Sequence, residues 1–458
     1  MAARPRAAGR SRRDERDGAA SARSPTLLRR RGLWFGLAAW TIVFGAHLAY
    51  GSLMAQPALL ASALAGLLLL GSLTIDRNLR RDVSSVSGLF PLFGLFLCVL
   101  AIVGLSLTPH AIGGVHPIWA YVGISPGAGT LDRSTTLLEI VKLMGLASFF
   151  GLGLLLGADD ERAETAVLIF VAFATVFGLW AFFAFTTGAV YQTQRGRLEG
   201  TLLSPNTAGT FFGVALTIAL GTLARGLRRT SGRARLEAAA PHWAAVMILG
   251  VCLLLTLSRT AAFGALASMA AFGLLLLFSG KASLSRASLV ALLSAGALLL
   301  ALVLFGEPLL ERFSRVETDG VARAELYALH WEAFRATPLA GVGLGNFDLL
   351  HRMLLDAENL QRLWVNRAAH NVYLQWLVEV GLPGALPMFL LIALVLIATI
   401  LGALRRTRMV HLICALAAAN LVVLIHGATD FALQTPSFAM MWSLLLGLQF
   451  SLAQSRRG

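Results

Sequence analysis

Residues 384–403 read GALPMFLLIALVLIATILGA, twenty positions without a charge, and the first charges after them are Arg405 and Arg406. An α-helix rises about 1.5 Å per residue, so such a run crosses the roughly 30 Å hydrocarbon layer of a bilayer. The run is continuous and does not alternate, which is a helix pattern and not that of a lipid-facing barrel strand. Hydrocarbon offers backbone N–H and C=O groups no partner, so a crossing segment must satisfy them within itself. Working outward, eleven further stretches of this kind lie at about 33–54, 57–75, 89–108, 136–157, 164–185, 205–224, 242–258, 260–278, 288–305, 411–427 and 437–453. The composition agrees: 458 residues are 57% hydrophobic and 14% charged, with a mean hydropathy of +0.73. The expected fold class is an all-α integral membrane protein of about twelve transmembrane helices, with one large outward-facing loop containing amphipathic helices.

Basic residues set the expected orientation. Residues 1–32 hold ten arginines, and the connections on the same side as that tail add sixteen Lys and Arg. The opposite connections hold eleven, seven of them in the single segment 306–372. Positively charged loops stay in the cytoplasm, so both termini are expected there and the long segment outside it. This gives a basic cytoplasmic tail (1–32), nine helices (33–305), a large periplasmic loop (306–372), and three more helices with a short tail (373–458). The net charge of +14 is thereby accounted for without a nucleic-acid partner, and the arginine-rich tail suits anionic membrane lipid. Cys98, Cys252 and Cys414 each fall in an apolar stretch and read as packing residues; no CxxC or HExxH pattern suggests a metal.

Chemistry concentrates on the outward side. The string VARAELYALHWEAF (321–334) sets Leu326, Leu329, Trp331 and Phe334 among Arg323, Glu325, His330 and Glu332, an amphipathic helix that ends before Pro338. Gly341-Val-Gly343-Leu-Gly345-Asn346 follows, with no strand before it; it reads as a tight turn whose backbone amides could face a phosphate. His370-Asn371 opens a helical stretch to Gly381, just before a span. Ser258-Arg259 interrupts apolar sequence at the tightest connection in the chain, where an arginine needs a partner or a role. Ser204-Pro205-Asn206 opens the sixth stretch, Glu139 and Lys142 share one face of the fourth, and His426 to Pro436 forms a short polar turn between the last two.

These stretches carry a resemblance. SPNTAG (204–209), LSRTA (257–261), Arg323 through PLAGVGLGNF (338–347), HNVYLQWLVEVGLPGA (370–385) and, more weakly, HGATDFALQTP (426–436) resemble, in order and spacing, the O-antigen ligase and polymerase superfamily of bacterial envelope glycosyltransferases. The resemblance covers about residues 30–453 and implies an inner-membrane enzyme that moves a glycan from an undecaprenyl-diphosphate-linked donor to an acceptor on the periplasmic face, without metal or other cofactor. The ligase pattern of His, then Asn, Ser or Gln, nine residues, Gly, two residues and Gly is met by His370, Asn371, Gly381 and Gly384; Ala385 stands where the pattern has Thr or Val. By the same resemblance His370 activates or orients the acceptor hydroxyl, and Arg259 and Arg323 hold the donor diphosphate, with Arg315 as the other candidate. Asn371, Gly343, Gly345, Asn206 and Asp430 complete the expected substrate-binding set. Lipid A core is the favoured acceptor; another glycan, as in a polymerase, or a protein hydroxyl would use the same donor chemistry. A transporter is the reading from another class, but no half-to-half repeat is visible, and a carrier has little need of a long loop bearing His and Arg.

Overall fold

A computed structural model describes residues 25–194, 196–229, 233–280 and 316–455. In chain order the helices are α1 (Pro25–Leu48), α2 (Ala55–Ile75), α3 (Arg77–Ser84), α4 (Leu89–Ser106), α5 (Ile118–Tyr121), α6 (Arg133–Gly157), α7 (Asp160–Thr187), α8 (Pro205–Arg229), α9 (Arg233–Leu255), α10 (Arg259–Phe278), α11 (Val316–Ala336), α12 (Phe347–Met353), α13 (Leu360–Leu363), α14 (Val372–Arg405), α15 (Val410–Gly427) and α16 (Pro436–Gln454). No strand occurs among the described residues. Among the described residues nine helices are long and apolar enough to cross a membrane: α2, α4, α6, α7, α8, α10, α14, α15 and α16. Shorter apolar runs, Leu33–Leu48 in α1 and Ala239–Leu255 in α9, sit on the expected first and seventh spans. The expected ninth span, 288–305, lies outside the described residues, as do Arg315 and the first 24 residues, so the structure supplies nine qualifying helices and not a count of twelve.

Local chemistry sets the helix starts. Asp132 accepts from Ser134 N to open α6, Asp159 from Glu161 N and Arg162 N to open α7, and Asn371 from Leu374 N to open α14. The helices then pack through small residues, as they must where lipid removes any hydrophobic drive between them. Gly153 and Gly157 on α6 lie against the backbone of α16 at Leu444 and Leu448, and Gly447 on α16 lies against Phe150 of α6. A Cβ at any of the three would collide with main-chain atoms, so the two helices pack backbone against backbone with no space for a side chain between them.

The polar ends separate cleanly. At one end Arg162 pairs with Asp82 (3.0 Å), Arg225 with Glu164 (2.8 Å) and Arg406 with Asp160 (2.9 Å), tying neighbouring helices together. At the other end lie α11 to α13, the starts of α6, α8, α10, α14 and α16, and the turn 428–435.

One feature of that end departs from the sequence reading. The segment expected as a helix to Gly381 followed by a span from 384 is a single element, α14, broken at Gly381 (φ 63°). Pro383 has no N–H, so the Glu379 carbonyl loses its helical partner and accepts from Gly343 N instead (2.8 Å). Val378 O takes Val342 N (3.1 Å), and Leu382 N turns to Pro338 O (2.9 Å). The Gly341–Gly345 turn is thus the plug of a proline-broken helix, and a Cβ on Gly341 would meet Glu379 O at 2.6 Å.

Candidate active site

Three helix beginnings converge on a cavity of about 380 Å³ lined by Arg197, Asn206, Ser258, Arg259, Arg323, His370, His426 and Asp430, among others. Asn206 lies in the first turn of α8, Arg259 is the first residue of α10, and His370 stands two residues before α14. Helix N-termini present unsatisfied N–H groups and a partial positive charge, so the cavity attracts anions even before its side chains are counted. Three arginines face it, and among the described residues Asp430 is the only carboxylate that lines it.

The backbone is strained where these groups are presented. His370 (φ 51°) and Leu257 (φ 50°), both lining the cavity, and Leu203 (φ 53°), three residues before Asn206, adopt left-handed conformations that cost a non-glycine residue about 1 kcal/mol or more each. At Leu257 this conformation makes the sharp turn from α9 into α10 that brings Arg259 into place. His370 is held in its conformation from both sides: Tyr327 Oη of α11 donates to His370 O (2.7 Å), and Ala369 N donates to Gln375 Oε1 (3.1 Å).

The His370 ring packs edge-on against Phe431, with its Nδ1 3.3 Å from Asp430 Oδ1. That is ion-pair distance, although the atoms are not aligned as a hydrogen bond. With Nδ1 buried against the carboxylate, Nε2 is the nitrogen left for a substrate. Burial works to raise the Asp430 carboxyl, but contact with His370, the charges of His426 and His370, and the Phe431 N–H outweigh it and hold the group at about 2. Asp430 is therefore an anion across the working pH range. Its second oxygen accepts from Asn206 Nδ2, and Asn206 Oδ1 accepts from Arg197 Nη2 (2.8 Å). Arg197 also donates through Nε to Thr256 O (2.8 Å) and is only 5% exposed. A continuous line runs Arg197–Asn206–Asp430–His370.

Of the residues expected from the sequence, the structure brings His370, Arg259, Arg323, Asn206 and Asp430 into one cavity. It places Asp430 behind His370, and Arg315 lies outside the described residues. Asn371, Gly343 and Gly345 stand elsewhere. The Asn371 side chain is spent on the N-cap of α14, Gly343 N on Glu379 O, and Gly345 N on Glu379 Oε2 (2.9 Å). The idea that these glycine amides face a phosphate is corrected by those bonds. The amphipathic helix is also rotated from its expected register: Leu326, His330 and Phe334 are the buried line of α11, while Trp331 is 46% exposed. His330 Nε2 meets His351 Nδ1 (3.0 Å), and burial, with the neighbouring His351, pushes the His330 ring down to about 3.

Sequence reading missed Arg197 and the lining role of His426. Arg197 was one more outward arginine in the tally; its signal was a position seven residues before the SPNTAG string, in a segment too polar to span. Among the described residues no group of three or more His, Cys, Asp or Glu is placed to hold a metal ion.

A search of curated proteins returns no match. Residues 244–389, which carry Arg259, Arg323 and His370 but neither Asn206 nor Asp430, match the family model of the O-antigen ligases.

Proposed function

We propose that the chain is a membrane glycosyltransferase of the O-antigen ligase type, moving a glycan from undecaprenyl diphosphate to an acceptor hydroxyl, lipid A core in the favoured case, on the periplasmic face. The observation that carries the reading is the meeting of a carboxylate-backed histidine with three arginines in one cavity at helix N-termini. The donor diphosphate lies between Arg259 and Arg323, whose planar guanidinium forks suit phosphate oxygens and stay charged at any working pH, while Arg197, engaged by Gln194, Asn206 and Thr256 O, adds its charge from behind. His370 Nε2 takes the proton of the acceptor hydroxyl as its oxygen bonds to the anomeric carbon. The bond from that carbon to the phosphate oxygen breaks on the opposite face, so configuration inverts. The electron pair leaves on the lipid diphosphate, where the arginines and helix ends meet the growing charge. Asp430 holds the ring in place and stabilises the imidazolium that forms. No metal is needed in this scheme, because the guanidinium groups supply the positive charge.

A deletion strain separates the acceptors. Polymerised glycan stranded on the carrier with bare lipid A core is the expected phenotype, restored by the wild-type chain and not by His370→Ala. Single repeats on the core would mark a polymerase instead. Unchanged carrier and lipopolysaccharide pools would sink both.

A further inference from the structure

A second polar cavity, of about 260 Å³, lies on the other side of the segments that form the first. The stretch 366–376 and the turn 430–436 line both: Asn366, His370 and Asp430 face the arginine cavity, while Arg367, Gln375, Trp376 and Gln434 face the second. The second cavity is different in charge. Its cations are Lys142 and Arg367, and each already has a carboxylate, Glu139 at 2.5 Å and Asp348 at 3.1 Å. Glu379 adds a third carboxyl, which accepts from Gly345 N, Phe347 N and Gln375 Nε2. With both cations neutralised by their own carboxylates, the cavity offers a diphosphate no net positive charge. Amides, carboxylates and the Trp376 indole face are instead the groups that hold sugar hydroxyls and pyranose rings.

This cavity opens into an apolar space of about 980 Å³ between α4, α6, α14, α15 and α16. Leu143, Leu146, Val372, Trp376, Leu433 and Ala439 line both. From Leu143 to Leu154 the groove follows α6 for about 16 Å of helix rise, the reach of an acyl chain within one leaflet. Phe90 and Phe93 on its wall are mostly exposed, so the groove meets the lipid-facing surface. A neutral polar cavity continuous with a membrane groove has the chemistry of a glycolipid and not that of a free sugar or a phospho-lipid carrier.

We propose that these two spaces together bind a lipid-anchored saccharide, the acceptor, with its hydrocarbon in the groove and its sugar against Gln375, Trp376, Glu379 and Gln434. The assignment as acceptor rests on the reading of the arginine cavity as the donor site. The stretch 366–376 borders both spaces, so an acceptor held in the second lies next to the segment that carries His370.

Cysteine protection tests both sites in one preparation. The full chain carries Cys98→Ser, to remove the exposed native thiol, and sits in nanodiscs of phosphatidylethanolamine and phosphatidylglycerol. Tetradecyl maltoside is expected to slow maleimide labelling of a Gln434→Cys variant about tenfold, while maltose and farnesyl diphosphate leave it unchanged. Filling the groove with Ala439→Trp, or more gently with Leu146→Phe, abolishes that protection. Farnesyl diphosphate slows labelling of an Asn366→Cys variant, and its doing so in the groove-filled chains shows that they are folded. Equal or better protection of the 434 site by farnesyl diphosphate overturns the proposal by giving the groove to the carrier lipid. No protection there by tetradecyl maltoside, with protection at 366 intact, also overturns it. Loss of protection at 366 alone would count against the donor reading and leave the glycolipid site standing.

Discussion

At the end of the bundle away from the cavity, Arg162, Arg225 and Arg406 each tie one helix to a neighbouring element through a carboxylate, whereas Arg197, Arg259 and Arg323 line a cavity in which, among the described residues, Asp430 is the only carboxylate and is engaged by His370 and Asn206. The first set satisfies its charge inside the protein and holds helices in register. The second concentrates positive charge where a ligand can meet it, with helix N-termini adding to the field. The difference teaches that the number of arginines on a membrane face says little; whether they brace one element against another or open onto a cavity separates a strut from a binding site.

The comparison breaks most readily at the histidine. His370→Ala should lower transfer kcat by about 10² to 10⁴-fold, the usual worth of a positioned base. The change should leave Tm within a few degrees, and a purified transfer assay run beside a melting curve checks both. Near-wild-type transfer would remove the base from the scheme.

Arg259→Gln and Arg323→Gln should each cost about 10² to 10³-fold in kcat, as loss of a charge-stabilising donor does elsewhere, again with little effect on melting. At the opposite end the sign of the experiment reverses. Arg406→Gln leaves the partly buried Asp160 carboxylate without its partner and should destabilise the chain by about 1 to 3 kcal/mol, while the surviving folded fraction keeps its kcat. The swap Arg406→Asp with Asp160→Arg should recover part of the melting temperature. If Arg406→Gln impaired transfer as strongly as Arg259→Gln, the distinction between the two ends would fail.

The smallest effect is expected from pH. His330 sits neutral in the fold, its ring pushed by burial and by His351 from the ordinary 6.5 to about 3. The unfolded or undocked form therefore binds a proton that the docked form refuses, so docking of α11 is fully stable above about 6.5 and weakens as pH falls toward 3. Protection factors for hydrogen exchange in α11, rates corrected for their intrinsic pH dependence, should fall on acidification through that window. His330→Leu should flatten the dependence. A wild-type protection factor that does not change with acid would show that the buried His330 ring is not what couples the helix to pH.

The residues that opened the reading behaved as hydrophobic length predicts. About twelve spans were read, and nine of the helices among the described residues qualify, because a run of about twenty apolar residues has one stable form in lipid, whatever surrounds it. His370, Arg259, Arg323, Asn206 and Asp430 were legible as polar interruptions at the ends of such runs, where a charged or polar group near hydrocarbon is costly enough to need a reason.

Where those groups point was another matter. Asn206 and Asp430 stand 224 positions apart and touch, and Asp430 turned out to lie behind the histidine. Arg197 joined the site through Asn206 and the Thr256 carbonyl just past the end of α9, partners that share no local pattern with it. Gly343 and Gly345 looked like phosphate ligands because glycine-rich turns free their amides. Only the missing N–H of Pro383, in a helix forty residues away, explains why the Gly343 amide is used instead to mend a broken helix. Solvent preference is a property of each stretch of chain, so the sequence alone determined the membrane fold and the pool of candidate residues. Which cations face a carboxylate and which face a cavity depends on contacts between distant helices, and only the tertiary structure decided that.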